Sequence, residues 1–188
     1  MPRVLPLSPD LAHASPAART AAALHEREHA ARLTNMKRTL LRSLPAFDAL
    51  MSWYPLRDTV VPFLGDRPTV LFAHAISEQT DCLICSTFFR RMLIDRGENP
   101  EDLQLTEREA ALVEFGRTLA TPPHVIPDEL YHRVTAGMRD EEVVALVALG
   151  SIMLATNVFN NALAVPLDDY LYPNTRTPTD VGVRGNHE

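Results

Sequence analysis

The chain has 188 residues, 46% of them hydrophobic and 22% charged, with 18 Lys and Arg against 24 Asp and Glu. The net charge of −6 argues against the concentrated basic surface that nucleic acid demands. Two cysteines three positions apart cannot build a disulfide framework, and the length suits one domain with a sizeable core.

In chain order, residues 1–16 are rich in Pro, Ala and Ser, without apolar period, and read as an extended arm. Residues 17–32 favour a helix with a polar face of Arg, His and Glu. Leu40, Leu41, Leu44, Phe47, Leu50 and Trp53 recur at three- and four-residue steps, an amphipathic helical pattern bent near Pro45. After the break at Gly65-Asp66-Arg67-Pro68, helices are expected over 68–79 and 82–95, the second ending near Gly97. Thr106 and Glu109 have capping-box spacing ahead of an apolar run that Pro122-Pro123 closes. Pro127-Asp128-Glu129 opens a short helix, and Asp140 caps a long final one reaching about residue 161. No segment alternates as a half-buried strand does, so the fold class is all-α. The organisation is an arm (1–16), one helical domain (17–172) and a C-terminal tail (173–188).

The N-terminus lacks the apolar stretch of a secretory signal. The most hydrophobic run, 143–156, is shorter than the ~20 residues of a bilayer crossing and reads as a helix in the core or at a subunit interface. The expectation is a cytoplasmic protein with no membrane or nucleic-acid partner, in a compartment that keeps thiols reduced.

The chemistry concentrates between Phe72 and Arg91. If Thr80 or Asp81 caps the helix that follows, Cys82 falls in its first turn, where free N–H groups and the positive end of the macrodipole favour thiolate. Cys85, one turn on, faces the same side, which suits a dithiol catalyst: one sulfur attacks an oxidant and the second resolves the product. Two ligands are too few for a structural zinc site, even with His74 as a third, and no cofactor or metal is expected. Two inert buried cysteines are the competing reading. His74 and Glu78 form an i, i+4 pair on the preceding helix. One of them serves as base for the thiols, or else His74 packs with its nitrogens satisfied while Glu78 pairs with Arg90 or Arg91.

An ordered set of motifs gives this segment a context: Glu78-x-x-x-Cys82-x-x-Cys85, Leu105-Thr-x-x-Glu109-x-Ala111-Leu, Asp140-Glu-Glu-x-Val144, and Asn157-x-Phe-Asn-Asn161 leading to Val165-Pro-Leu-Asp168. Over roughly 35–169 the chain resembles the carboxymuconolactone decarboxylase and alkylhydroperoxidase D superfamily. The resemblance implies an all-helical bundle assembled as a homo-oligomer (dimer, trimer or hexamer). It also implies a thiol peroxidase that takes a small hydroperoxide and is recycled by a dithiol reductant. By position, Cys85 would be the peroxidatic cysteine and Cys82 the resolving one, although the helix-terminus argument makes Cys82 the more acidic thiol. The family's usual relay glutamate and histidine align with Val70 and Phe89, and Ile84 stands between the cysteines. Two alternatives follow: a catalytically degenerate oligomer that responds to redox state or binds a small molecule, and a carboxymuconolactone decarboxylase-like lyase. The lyase is disfavoured because that activity does not depend on a cysteine pair.

Of the remaining residues, Asn157, Asn160 and Asn161 read as hydrogen bonds closing the long helix rather than as a substrate site. Trp53 and Tyr54 read as packing in the core or at a subunit contact rather than as a pocket wall. Phe88 and Phe89 make the thiol surroundings apolar. His25 and His29 lie on the polar face of a surface helix.

Overall fold

A computed structural model describes residues 1–176 and is all-helical over them. The helices are α1 (Pro16–His29), α2 (Asn35–Leu40), α3 (Leu44–Met51), α4 (Trp53–Leu64), α5 (Asp66–Gln79), α6 (Leu83–Ile94), α7 (Glu107–Leu119), α8 (Asp128–Thr135) and α9 (Asp140–Leu163), followed by a 3₁₀ segment, Asp169–Asn174. The amphipathic run expected to bend near Pro45 is three helices. Ser43 ends the first break, Pro45 sits in the opening turn of α3, and Ser52 joins α3 to α4. Of the tail read over 173–188, residues 177–188 lie outside the described residues.

Local signals fix several ends. Ser15 accepts from the Ala18 N–H and Thr34 from the Lys37 N–H, two side-chain N-caps. The capping box of α7 forms as read: Thr106 accepts from the Glu109 N–H while Glu109 reaches back to the Thr106 N–H. At α9 the cap is Arg139, not Asp140. Asp140, Glu141 and Glu142 fill the first turn, where negative charge meets the free N–H groups.

Helix α5 is the axis of the bundle. Its residues from Thr69 to Ser77 are all buried, and it packs against α4, α6, α7 and α9. Phe72, Ile76, Phe115, Leu146 and Leu149 are inaccessible to solvent and form the centre of the core. A second cluster holds the arm down: Leu7, Leu11 and Ala14 pack with α1, α2 and α3, and the Arg3 N–H donates to the Leu163 carbonyl. The arm read as merely extended is therefore docked.

Helix α9 crosses α5 closely because residue 150 has no side chain. A Cβ there would lie 2.4 Å from Leu119 Cδ2 and 2.8 Å from Phe72 Cζ. Its 24 residues exceed the apolar run of 143–156, and by length and composition the helix could cross a membrane, with 39% of its most apolar window buried. One side packs on α4 and α5, while Val144 and Val158 on other faces are exposed. Ala for Gly in a mid-helix position would gain up to about 1 kcal/mol in propensity. Overpacking against a wedged Phe72 costs about 1–3 kcal/mol and wins. Gly150→Ala is expected to lower the unfolding midpoint in a thermal melt; an unchanged or raised midpoint would show that the crossing has slack.

Candidate active site

The site is made by the turn from α5 into α6. Thr80 ends α5 with its hydroxyl on the Ile76 carbonyl, 3.0 Å away. Asp81 takes the left-handed conformation at φ 50°, and the Cys82 N–H then bonds back to the Ser77 carbonyl at 3.0 Å. That reversal moves the helix start by one position. Cys82 is itself the N-cap of α6, extended at φ −83° and ψ 96°. Neither Thr80 nor Asp81 caps the helix as expected, because Asp81 is spent on turning the chain.

Both cysteines are free thiols. The Cys82 thiol is pulled down to about 7, chiefly by the hydrogen bond it receives from the Cys85 thiol; burial opposes this, and the N–H groups of Ile84 and Cys85 and the Asn160 amide add to it. Cys85 is pushed well up: it donates to Cys82, is buried, and faces the Cys82 charge. Above about pH 7 the pair therefore carries one negative charge and one shared proton, with the charge resting at the helix N-terminus on Cys82.

Helix α9 supplies the donor. Asn160 is buried, and its Nδ2 lies 3.3 Å from Cys85 Sγ, 3.9 Å from Cys82 Sγ and 3.5 Å from Met36 Sδ. Two neighbours brace it against the turn. Asn157 Nδ2 donates to the Thr80 hydroxyl at 2.9 Å, and Asn161 Nδ2 to the Thr80 carbonyl at 2.9 Å. All three asparagines reach across to the cysteine turn instead of closing their own helix. The oxygens of Asn157 and Asn160 are buried with no partner among the described residues.

The structure pairs His74 with Glu78, Nε2 to Oε1 at 3.8 Å, but links neither to a sulfur by a hydrogen bond. His74 is buried, which lowers its pKa against the pull of Glu78. Glu78 pairs with Arg176 at 3.0 Å, not with Arg90 or Arg91. The relay positions are apolar in space as in sequence: Val70 and Phe89 are both in the core. Among the described residues no group of three His, Cys, Asp or Glu is arranged to hold a metal ion.

A cavity of about 400 Å³ opens beside the turn, and Cys85, not Cys82, forms part of its wall. Phe88, Phe89, Trp53, Tyr54 and Met92 line it together with Lys37 and Tyr170, so Trp53 and Tyr54 pack against the core, as read, and also form pocket wall. His25, placed by sequence on a polar face, is buried beside Tyr54 with ring centroids 5.0 Å apart, and burial pulls it down to about 4.

No family model and no curated protein sequence matches the chain. Solved structures do. An uncharacterized peroxidase-related protein from Silicibacter sp. TM1040 superposes with a TM-score of 0.69 at 14% identity, covering 91% of this chain and 96% of the other. The alkylhydroperoxidase AhpD core of an uncharacterized peroxidase-related protein from Ralstonia eutropha JMP134 gives 0.70 at 16%, covering 93% and 98%. The chain has the alkylhydroperoxidase D fold. The debrominase Bmp8 shares it, with a TM-score of 0.70 at 16% identity over 91% of this chain and 95% of its own.

Within this alkylhydroperoxidase D fold, Asn160 is the site residue that sequence reasoning missed. Its signal was present: three asparagines at i, i+3 and i+4 interrupt an otherwise apolar helix, and one face of a buried helix cannot leave that many amides unplaced. A hydrogen bond to a charged group is worth about 1.5–3 kcal/mol. Asn160→Leu is therefore expected to raise the thiolate midpoint by about one pH unit from its value near 7. A pH titration of thiolate absorbance checks this, and an unmoved midpoint would remove Asn160 from the site.

Proposed function

We propose that the protein is a cytoplasmic dithiol oxidoreductase that reduces a small hydroperoxide, with Cys85 as the attacking sulfur and Cys82 as its base and its resolving partner. The observation that carries this reading is the asymmetry of the pair: the charge rests on Cys82, but only Cys85 borders the cavity. A proton moving along the hydrogen bond from Cys85 to Cys82 places the thiolate on the sulfur that a ligand can meet. No separate His or Glu relay is needed for that step, which fits the apolar residues at positions 70 and 89.

The Cys85 thiolate attacks the terminal oxygen of the hydroperoxide, the O–O bond breaks, and Cys85 becomes a sulfenic acid. The departing alkoxide takes the proton held on Cys82. The Cys82 thiolate then displaces hydroxide from Cys85, closing the disulfide with two electrons given to the substrate. Cys82 is the N-cap, its carbonyl accepting from the Ser86 N–H while its φ and ψ are extended, so its side chain can turn toward Cys85 by χ1 rotation without unwinding α6. A dithiol reductant restores both thiols by exchange. In this reading His74 and Glu78 hold the end of α5 together and tether Arg176. The exposed apolar residues Val144 and Val158 of α9 support assembly as a homo-oligomer.

The same dithiol supports a second reading, suggested by the shared fold of the debrominase Bmp8. Carbon–bromine cleavage by two thiols would give C–H, bromide, a proton and the same disulfide. Reduced protein is expected to consume cumene hydroperoxide at a rate that rises with pH through about 7, as the pair loses its first proton. Cys85→Ser is expected to abolish this consumption. Equal rates for wild type and Cys85→Ser would reject the peroxidase. Bromide release from a brominated aromatic without peroxide consumption would favour the second reading. A reversible disulfide formed with neither activity would leave a redox-responsive binding protein.

A further inference from the structure

The cavity beside Cys85 has a polar end that the thiol chemistry does not use. Lys37 is 5% exposed and lines the cavity. Its ammonium donates to the Tyr54 hydroxyl and to the Arg32 carbonyl, each at 2.8 Å. An ammonium has three N–H donors, so one is left over. Trp53 Nε1 is buried with no acceptor among the described residues, and Trp53 lines the same cavity. Two unused donors thus border one apolar space.

The charges agree with the donors. Four cations line the cavity: Arg32, Lys37, Arg57 and Arg91. Arg57 is paired with Asp58 and Asp66, and Arg91 with Asp95. Neither Lys37 nor Arg32 has a carboxylate within 4.0 Å among the described residues, and Arg32 lies over the Tyr170 ring at 5.0 Å. Among the described residues Asp168 is the one carboxylate of the lining. Its Oδ1 accepts from the Asn35 N–H at 2.8 Å and its Oδ2 has no partner among the described residues. It and Glu26 both act on the Lys37 charge from beyond salt-bridge distance, and Arg32 is exposed to solvent, which leaves Lys37 as the buried cation of the described lining. No carboxylate accepts directly from the Lys37 ammonium among the described residues, and a ligand monoanion would give its remaining N–H a charge-assisted acceptor.

We infer that the cavity binds an apolar carboxylate, its carboxyl group on Lys37 and Trp53 and its hydrocarbon body along Phe88 and Met92 toward Cys85. Burial holds the Lys37 amine down at about 8, and it is still mostly protonated at neutral pH; a bound carboxylate would raise it. Extended to catalysis, this inference rests on the peroxidase reading and names its substrate class as a carboxylate-bearing hydroperoxide. The binding itself needs no turnover.

Trp53 is the only tryptophan in the chain, so its fluorescence reports occupancy directly. Titration of the reduced protein with octanoate is expected to give a dissociation constant about tenfold or more below that of octanamide, the scale of one charge-assisted hydrogen bond. The preference is expected to vanish in Lys37→Met, with octanamide affinity kept as a check on folding, and to persist in Lys37→Arg and in Cys85→Ser. Equal affinities in the wild type, or an undiminished preference in Lys37→Met, would overturn it. A protein that prefers octanoate but consumes no peroxide loses the peroxidase reading alone; one that consumes cumene hydroperoxide without the preference loses this inference alone.

Discussion

The carboxamide of Asn160, held over two sulfurs by a helix that cannot move away from them, is the constraint on which the site depends. Its Nδ2 reaches both Cys85 and Cys82, and it can do so only because α9 is fixed at both ends of the crossing. At residue 150 the missing side chain lets the helix lie against Phe72. Two turns later Asn157 and Asn161 bind the Thr80 hydroxyl and carbonyl. Packing sets the distance, and the flanking amides set the rotation. Buried amides with unpartnered oxygens are expensive, and here that cost lies in groups that hold the cysteine turn in place.

From that constraint the electrostatics of the thiols follow. A cysteine at an N-cap, with helical N–H groups ahead of it, a thiol donating to it and an amide beside it, is a good place for negative charge even when buried. The partner sulfur keeps the proton for the same reason. What distinguishes the two is access: one is sealed by the turn, the other borders a cavity with an aromatic and cationic wall. In the proposed function, chemistry and recognition thus fall on different elements, the thiols at the start of α6 and the cations on α2 and the segment before it.

Much of the scaffold was legible in the sequence because its signals are local. The capping box at Thr106 and Glu109, the acidic first turn of α9 and the all-helical periodicity each need only neighbouring residues. The cysteine pair was legible for the same reason. What was not legible depends on contacts distant in the chain. The left-handed turn at Asp81, which makes Cys82 the cap, depends on a bond back to Ser77. The roles of Asn160 and Lys37 depend on α9 and α2 arriving beside residues that lie 75 to 78 and 17 positions away. Trp53 and Tyr54 carry no mark that separates pocket wall from core, since both uses need a large apolar ring. His74 and Glu78 had the right spacing for each other, and the structure gives them to each other.

The proposed chemistry requires Cys85 to be the sulfur that meets the oxidant. Intact-mass measurement of Cys82→Ser after one equivalent of hydroperoxide tests this most directly, at a pH of about 9.5 that ionises a thiol without help from a neighbouring base, since the resolving thiol is absent and the first product is retained. The expected result is the gain of a single oxygen, located on Cys85 by fragmentation and reversed by a thiol reductant. An unchanged mass there, together with oxygen gained on Cys82 in the Cys85→Ser protein, would contradict it.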